Sequence, residues 1–160
     1  MLLLAPMSRI ELHIAAEGIT LPAPAAPVAA YVPTVLVGNL LHISGQISFA
    51  ADGALMLGKI GAERDLAWGM AAAERCGLML IAQMKAALGD LDRVERIVKL
   101  GAFVASTADF TDHPKVANGA SELMVRIFGE AGRHARSAVG VPALPLDASV
   151  EIDAIVAVRP

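Results

Sequence analysis

Arg136 is the residue that most demands an explanation in chemistry. It stands in Ala135-Arg136-Ser137-Ala138-Val139-Gly140-Val141, a run of small and apolar residues that reads as a strand. A guanidinium stays charged at any ordinary pH, so burying one in such surroundings is costly unless an anion meets it. Its planar fork of N–H donors fits a carboxylate through two parallel hydrogen bonds. Glu151 or Asp153, in Val150-Glu151-Ile152-Asp153-Ala154, would serve as an internal partner, and the carboxylate of a small ligand would serve equally well. Residue types alone leave both readings open.

Other familiar chemistries find little support. His13, His42, His113 and His134 lack metal-ligand spacing, and no pair of cysteines supports them. There is no Gly-x-Gly-x-x-Gly, no phosphate loop and no Gly-x-Ser-x-Gly elbow, so no cofactor is expected. Cys76 falls in the middle of a helical pattern on its apolar side, where a thiol serves as a small hydrophobe. A single cysteine forms no internal disulfide, which agrees with a reducing cytoplasm.

The elements that must position Arg136 and Glu151 come from one domain of 160 residues. Hydrophobic residues make up 56% and aromatics only 4%, so the apolar mass is Ala, Val, Leu, Ile and Met. With a mean hydropathy of +0.59, part of that mass is expected between subunits. The net charge of −3, without a basic run, argues against nucleic acid. No apolar stretch reaches the roughly 18 residues of a membrane span. The opening Met-Leu-Leu-Leu-Ala-Pro has no positive leader and reads as dispensable, with Met7-Ser8-Arg9 as a second possible start.

Residues 1–27 read as an extension: a short polar–apolar start over 7–19, then Leu21 to Pro27, whose prolines favour an extended strap. A single domain follows over 28–160. Val35-Leu36-Val37, Gly38-Asn39 and Leu40-Leu41-His42-Ile43 form a hairpin around a turn with positive φ. A helix is expected over 62–88, with Glu63, Arg64, Glu74, Arg75 and Lys85 on its polar arc and Gly89 as its stop. Gly69 and Gly77 would let it approach a strand closely. A strand over 94–105, apolar on both faces, needs a helix on one side and something else, such as a second subunit, on the other. Asp112-His113-Pro114 opens a second helix, with Asp112 as its cap, running to Phe128. Strands at about 135–141 and 149–158 complete an α+β plan, β-β-α-β-α-β-β, with two helices on one face of a mixed sheet.

The run Arg136 to Leu144-Pro145, followed by Val150-Glu151-Ile152, resembles the C-terminal signature of the YjgF/Rid (reactive intermediate deaminase) superfamily. Tyr31-Val32, Gly38-Asn39 and Ser44-Gly45-Gln46 are similar to its N-terminal half, and the resemblance covers about residues 28–158. It implies a chorismate-mutase-like fold and a homotrimer with ligand pockets between subunits. It further implies that Arg136 binds a substrate carboxylate, Glu151 positions or activates water, and Tyr31 closes the pocket. Gly45 would bring backbone close to the ligand, and Asn118 matches a polar pocket residue with an offset. Many members carry cysteine where this chain has Ala138, and this chain is longer, which marks a divergent branch.

The activity so implied is hydrolysis of reactive 2-imino acids, of the 2-aminoacrylate type, to 2-oxo acids and ammonia. A non-catalytic trimer binding 2-oxo acids or other small carboxylates is the alternative. A ribonuclease or translation inhibitor is the third, and the acidic balance argues against it.

Overall fold

The computed structural model describes residues 7–27 and 29–160. The reading of residues 1–6 as dispensable lies outside them. Five strands, β1 (Thr34–Val37), β2 (Leu40–Ile47), β3 (Val94–Ala105), β4 (Ala135–Val141) and β5 (Val150–Val158), form one sheet in the order β1-β2-β5-β3-β4. Only β3 and β4 are parallel. Three helices accompany them: α1 (Arg9–Ala16), α2 (Leu66–Leu88) and α3 (His113–Phe128). The expected α+β order is present, with α1 added in front of it. No helix among the described residues is long and apolar enough to cross a membrane.

The β1–β2 hairpin turns at Gly38-Asn39, pairing Val37 with Leu40. Of the two turn residues Gly38 takes a positive φ, of 61°, and Asn39 does not, so the turn needs one left-handed residue. The first long helix begins at Leu66, not at 62. Asp65 occupies the N-cap and accepts the Trp68 N–H at 2.9 Å, which fixes the start. Glu63 and Arg64 therefore leave the helix's polar arc. Glu63 accepts the Lys59 N–H, and Arg64 lies 3.7 Å over the Trp68 ring. Near the end of this helix Ala87 is exposed although it lies opposite the charged arc.

Cys76 is fully buried in α2, as the pattern required. Gly69 and Gly77 face α3 and not a strand: a Cβ on Gly77 would sit 2.9 Å from Leu123 Cδ2, and one on Gly69 3.0 Å from Val116 Cγ2. Gly119 on α3 returns the approach, since its Cβ would collide with the Met70 carbonyl. Close helix contact needs small residues on both partners. Asp112 makes no side-chain cap to α3 and instead pairs with Lys115, so Pro114 carries the start signal alone.

Residues 7–19 hold more structure than their composition suggested. Ser8 and Glu11 form a reciprocal capping box. Asp92, far along the chain, accepts the Arg9 and Ile10 N–H groups at 2.9 Å each. These contacts satisfy free donors of α1 and seat Ile14 in the core. The strap then runs along α2, held where the Gln83 amide donates to the Ala25 carbonyl at 2.9 Å. The face of the sheet away from α2 and α3 stays uncovered and partly apolar, with Val35, Val37, Leu40 and Val139 exposed.

Candidate functional site

Glu151 owes its position to strict alternation in β5. Val150 and Ile152 are wholly buried under the helices, so Glu151 points from the opposite face. Across from it the β2–β5 register shifts between Ile43 and Gln46, a bulge at Ser44-Gly45 of the kind that re-aims groups beside active sites. The Glu151 carboxylate lies against Gly45: a Cβ there would come within 2.9 Å of Glu151 Cδ and Oε1. Gly45 thus makes room for the carboxylate itself.

A cleft of about 420 Å³ opens here, lined by Glu151, Gly45, Tyr31, Phe49, Leu146 and strap residues through Pro27. The strap is therefore a wall of this cleft. Leu146 holds φ at 58° and leaves 71% of its surface exposed, a strained conformation for a branched apolar residue at a cleft rim. Burial, and then the neighbouring charge of Asp153, raise the Glu151 carboxyl above its ordinary pKa. Asp153 is raised as well, by burial, against the opposing pull of the Gly101 N–H and of Lys99. A carboxyl so raised is suited to exchange protons with a reacting water.

Arg136 lies elsewhere. Its side chain leaves β4 toward α3, where Nη1 donates to Asn118 Oδ1 at 2.8 Å and to Ser121 Oγ at 3.1 Å. None of the ion pairs among the described residues involves Arg136. The internal partners Glu151 and Asp153 are thereby ruled out within one protomer: they face away from the helices, and β3 separates their strand from β4. Around the guanidinium a second cleft, also of about 420 Å³, is lined by Ser121, Val125, Arg133, His134 and Arg136.

A single chain thus brings Tyr31, Gly45 and Glu151 together, and Arg136 with Asn118, but keeps the two groups apart. The sequence reading overlooked Ser121 and His134. Both were within reach of spacing: Ser121 follows Asn118 by one helical turn, and His134 precedes Arg136 by two residues on the way into β4.

Comparison with known proteins identifies the family. The family model described as "YjgF/chorismate_mutase-like, putative endoribonuclease" matches residues 11–156. Protein TCP17 of Trypanosoma cruzi is 51% identical over 149 residues, covering 92% of this chain and 93% of that protein. The crystal structure of Atu1372 from Agrobacterium tumefaciens, a protein of unknown function, is 46% identical. It covers 94% of this chain and 92% of its own, with a TM-score of 0.87. TdcF of E. coli, solved with bound serine, is 26% identical over 88% of this chain and 96% of its own, with a TM-score of 0.60. With the family model matching residues 11–156, nearly the whole domain, the chain belongs to the YjgF/chorismate-mutase-like family.

Proposed function

We propose that this protein hydrolyses small 2-imino acids, the tautomers of enamines such as 2-aminoacrylate, to 2-oxo acids and ammonia. The observation that carries the reading is Arg136: a guanidinium held on side chains but met only by the neutral acceptors Asn118 and Ser121. A ligand carboxylate supplies the missing countercharge. Because the Arg136 cleft and the Glu151 cleft are different surfaces of one protomer, a working site requires one protomer's Arg136 to face the next one's Glu151. Unlike surfaces joined head to tail close into rings, which fits a homotrimer. The exposed apolar residues on the open sheet face would be covered in the same assembly.

The imine carbon is already electrophilic, so orientation and proton transfer suffice. Arg136 fixes the carboxylate and turns an encounter into a positioned complex. Glu151 takes a proton from water as its oxygen adds to the C=N carbon and passes it to the nitrogen, giving a carbinolamine. Glu151 then relays the carbinol hydroxyl proton to the nitrogen as the C–N bond breaks, so ammonia leaves and the C=O bond forms. Tyr31, at the cleft wall, shields the adduct. No step calls for a cofactor, and the buried thiol of Cys76 is compatible with a cytoplasmic setting.

The bound serine in TdcF favours one other reading, a non-catalytic trimer that binds amino or oxo acids. The measurement that separates them is release of 2-oxo acid and ammonia from freshly generated 2-imino acids. Wild type is expected to outpace buffer, and Arg136→Ala to raise KM roughly 10- to 100-fold through loss of a charged hydrogen bond. Binding of 2-oxo acids without any acceleration would leave the non-catalytic reading in place.

A further inference from the structure

Arg136 is tied into a chain of hydrogen bonds whose proton positions follow from chemistry alone. The Gly132 carbonyl can only accept, so His134 Nδ1, 2.7 Å away, carries the hydrogen. In the neutral ring Nε2 is then a bare acceptor. It lies 2.8 Å from Ser121 Oγ, which must donate to it. Ser121 Oγ in turn accepts from Arg136 Nη1 at 3.1 Å. The order is Gly132 C=O, H–Nδ1 His134 Nε2, H–Oγ Ser121, H–Nη1 Arg136, with every hydrogen assigned.

We infer that His134 and Ser121 form a proton-linked second grip on the anion bound at Arg136, so that carboxylate binding takes up a proton at His134. This rests on the reading of Arg136 as the carboxylate anchor. When Nε2 gains a proton it becomes a donor and no longer accepts from Ser121. The Ser121 hydrogen is released and turns into the cleft, where a carboxylate on Arg136 accepts it. Ser121 Oγ retains lone pairs for both Arg136 and the imidazolium. The acid form therefore offers the ligand one more hydrogen bond and one more positive charge.

Burial and the neighbouring Arg136 charge favour the neutral ring at rest. Arg136 stands on β4 and Arg133 in the turn before it, both lining the same cleft. Arg96 on β3 donates to the Arg133 carbonyl. The nearest acid in that turn, Glu130, is taken up by Arg133 at 3.2 Å. Burial first, and the Arg136 charge second, hold His134 below the ordinary imidazole pKa despite the Gly132 carbonyl. An arriving carboxylate cancels part of that repulsion, so binding and protonation favour each other.

Two measurements test the device. In the ligand-free protein, ¹⁵N-resolved NMR of the imidazole is expected to show the Nδ1–H tautomer. The Nε2–H tautomer would overturn the inference, since Ser121 could not then donate. Calorimetric titration with pyruvate, in buffers of differing ionisation enthalpy, reads the protons taken up. Glu151 also titrates in the acid direction, so the linkage is measured in a Glu151→Gln background. There, affinity is expected to be roughly 3- to 10-fold higher at about pH 5.5 than at about pH 8, with net proton uptake. His134→Gln keeps an acceptor for Ser121 but cannot charge, so it should bind at both pH values without uptake. Equal uptake in that variant would overturn the proton link and leave the anchor standing. Absence of pyruvate binding at either pH, in wild type as well, would bring down the anchor and the grip with it.

Discussion

Glu151→Gln is expected to lower kcat by about two to four orders of magnitude while leaving 2-oxo acid binding nearly intact, the range found when a general acid–base is removed. Glutamine keeps the volume over Gly45 and the hydrogen-bonding capacity, so the loss reports proton transfer. A second signature comes from stability. Burial and Asp153 raise the Glu151 pKa in the folded state, so its ionised form opposes folding. A raised folded pKa means the carboxyl's favourable contribution is complete below its unfolded pKa and fades as pH rises through the folded one. At neutral pH Glu151→Gln should therefore melt higher than wild type, and the difference should vanish in acid below the ordinary glutamate range. Paired thermal melts and single-turnover kinetics check both. A variant that is slow and less stable at neutral pH would point to a structural role for Glu151 and against a catalytic one.

Gly119→Ala should be strongly destabilising to the α2–α3 contact. The added Cβ would collide with the Met70 carbonyl, which is backbone and cannot rotate away, forcing α2 and α3 apart. Overpacking of this kind costs about 3 kcal/mol, only partly offset by the better helix propensity of alanine. For a chain of this size that lowers the melting temperature by roughly 10 °C. Gly77→Ala on the facing helix is the control. Its Cβ meets the end of the Leu123 side chain at 2.9 Å, which can shift, so the effect should be much smaller. Asn118 and Ser121 flank Gly119 in α3, and a displaced helix would also loosen Arg136. Circular dichroism melts of the two variants settle the ranking, and equal melting temperatures would show that the helix contact has slack.

The comparison of Gly77 with Gly119 also shows where sequence reading ends. The hairpin, β3, the last two strands and the end of each long helix were legible, because turn glycines, alternation and stop signals act within a few residues. The start of α2 was misplaced because Asp65 hides in the charged run Glu63-Arg64-Asp65, and only the bond to Trp68 reveals it as the cap. The start of α1 is written locally in the Ser8 and Glu11 capping pair, whereas its anchor Asp92 is distant in the chain. At the site, residue types singled out Arg136 and Glu151. Their separation was not legible, since it follows from sheet order: β3 between β4 and β5, with the two side chains on opposite faces. Ser121 and His134 carry no obligatory charge and so raised no alarm in the sequence. Their spacing from Asn118 and Arg136 is the one local signal, and it gains meaning through the hydrogen bonds that the fold brings together.

The proposed centre, divided between two copies, also has a genetic face. A lesion at Arg136 and a lesion at Glu151 damage opposite halves, so two silent alleles expressed together could rescue one another. In a randomly mixed ring, about a quarter of the junctions would pair an intact Arg136 with an intact Glu151. Recessive defects at these two positions would then complement within one gene, whereas two lesions in the same half would not.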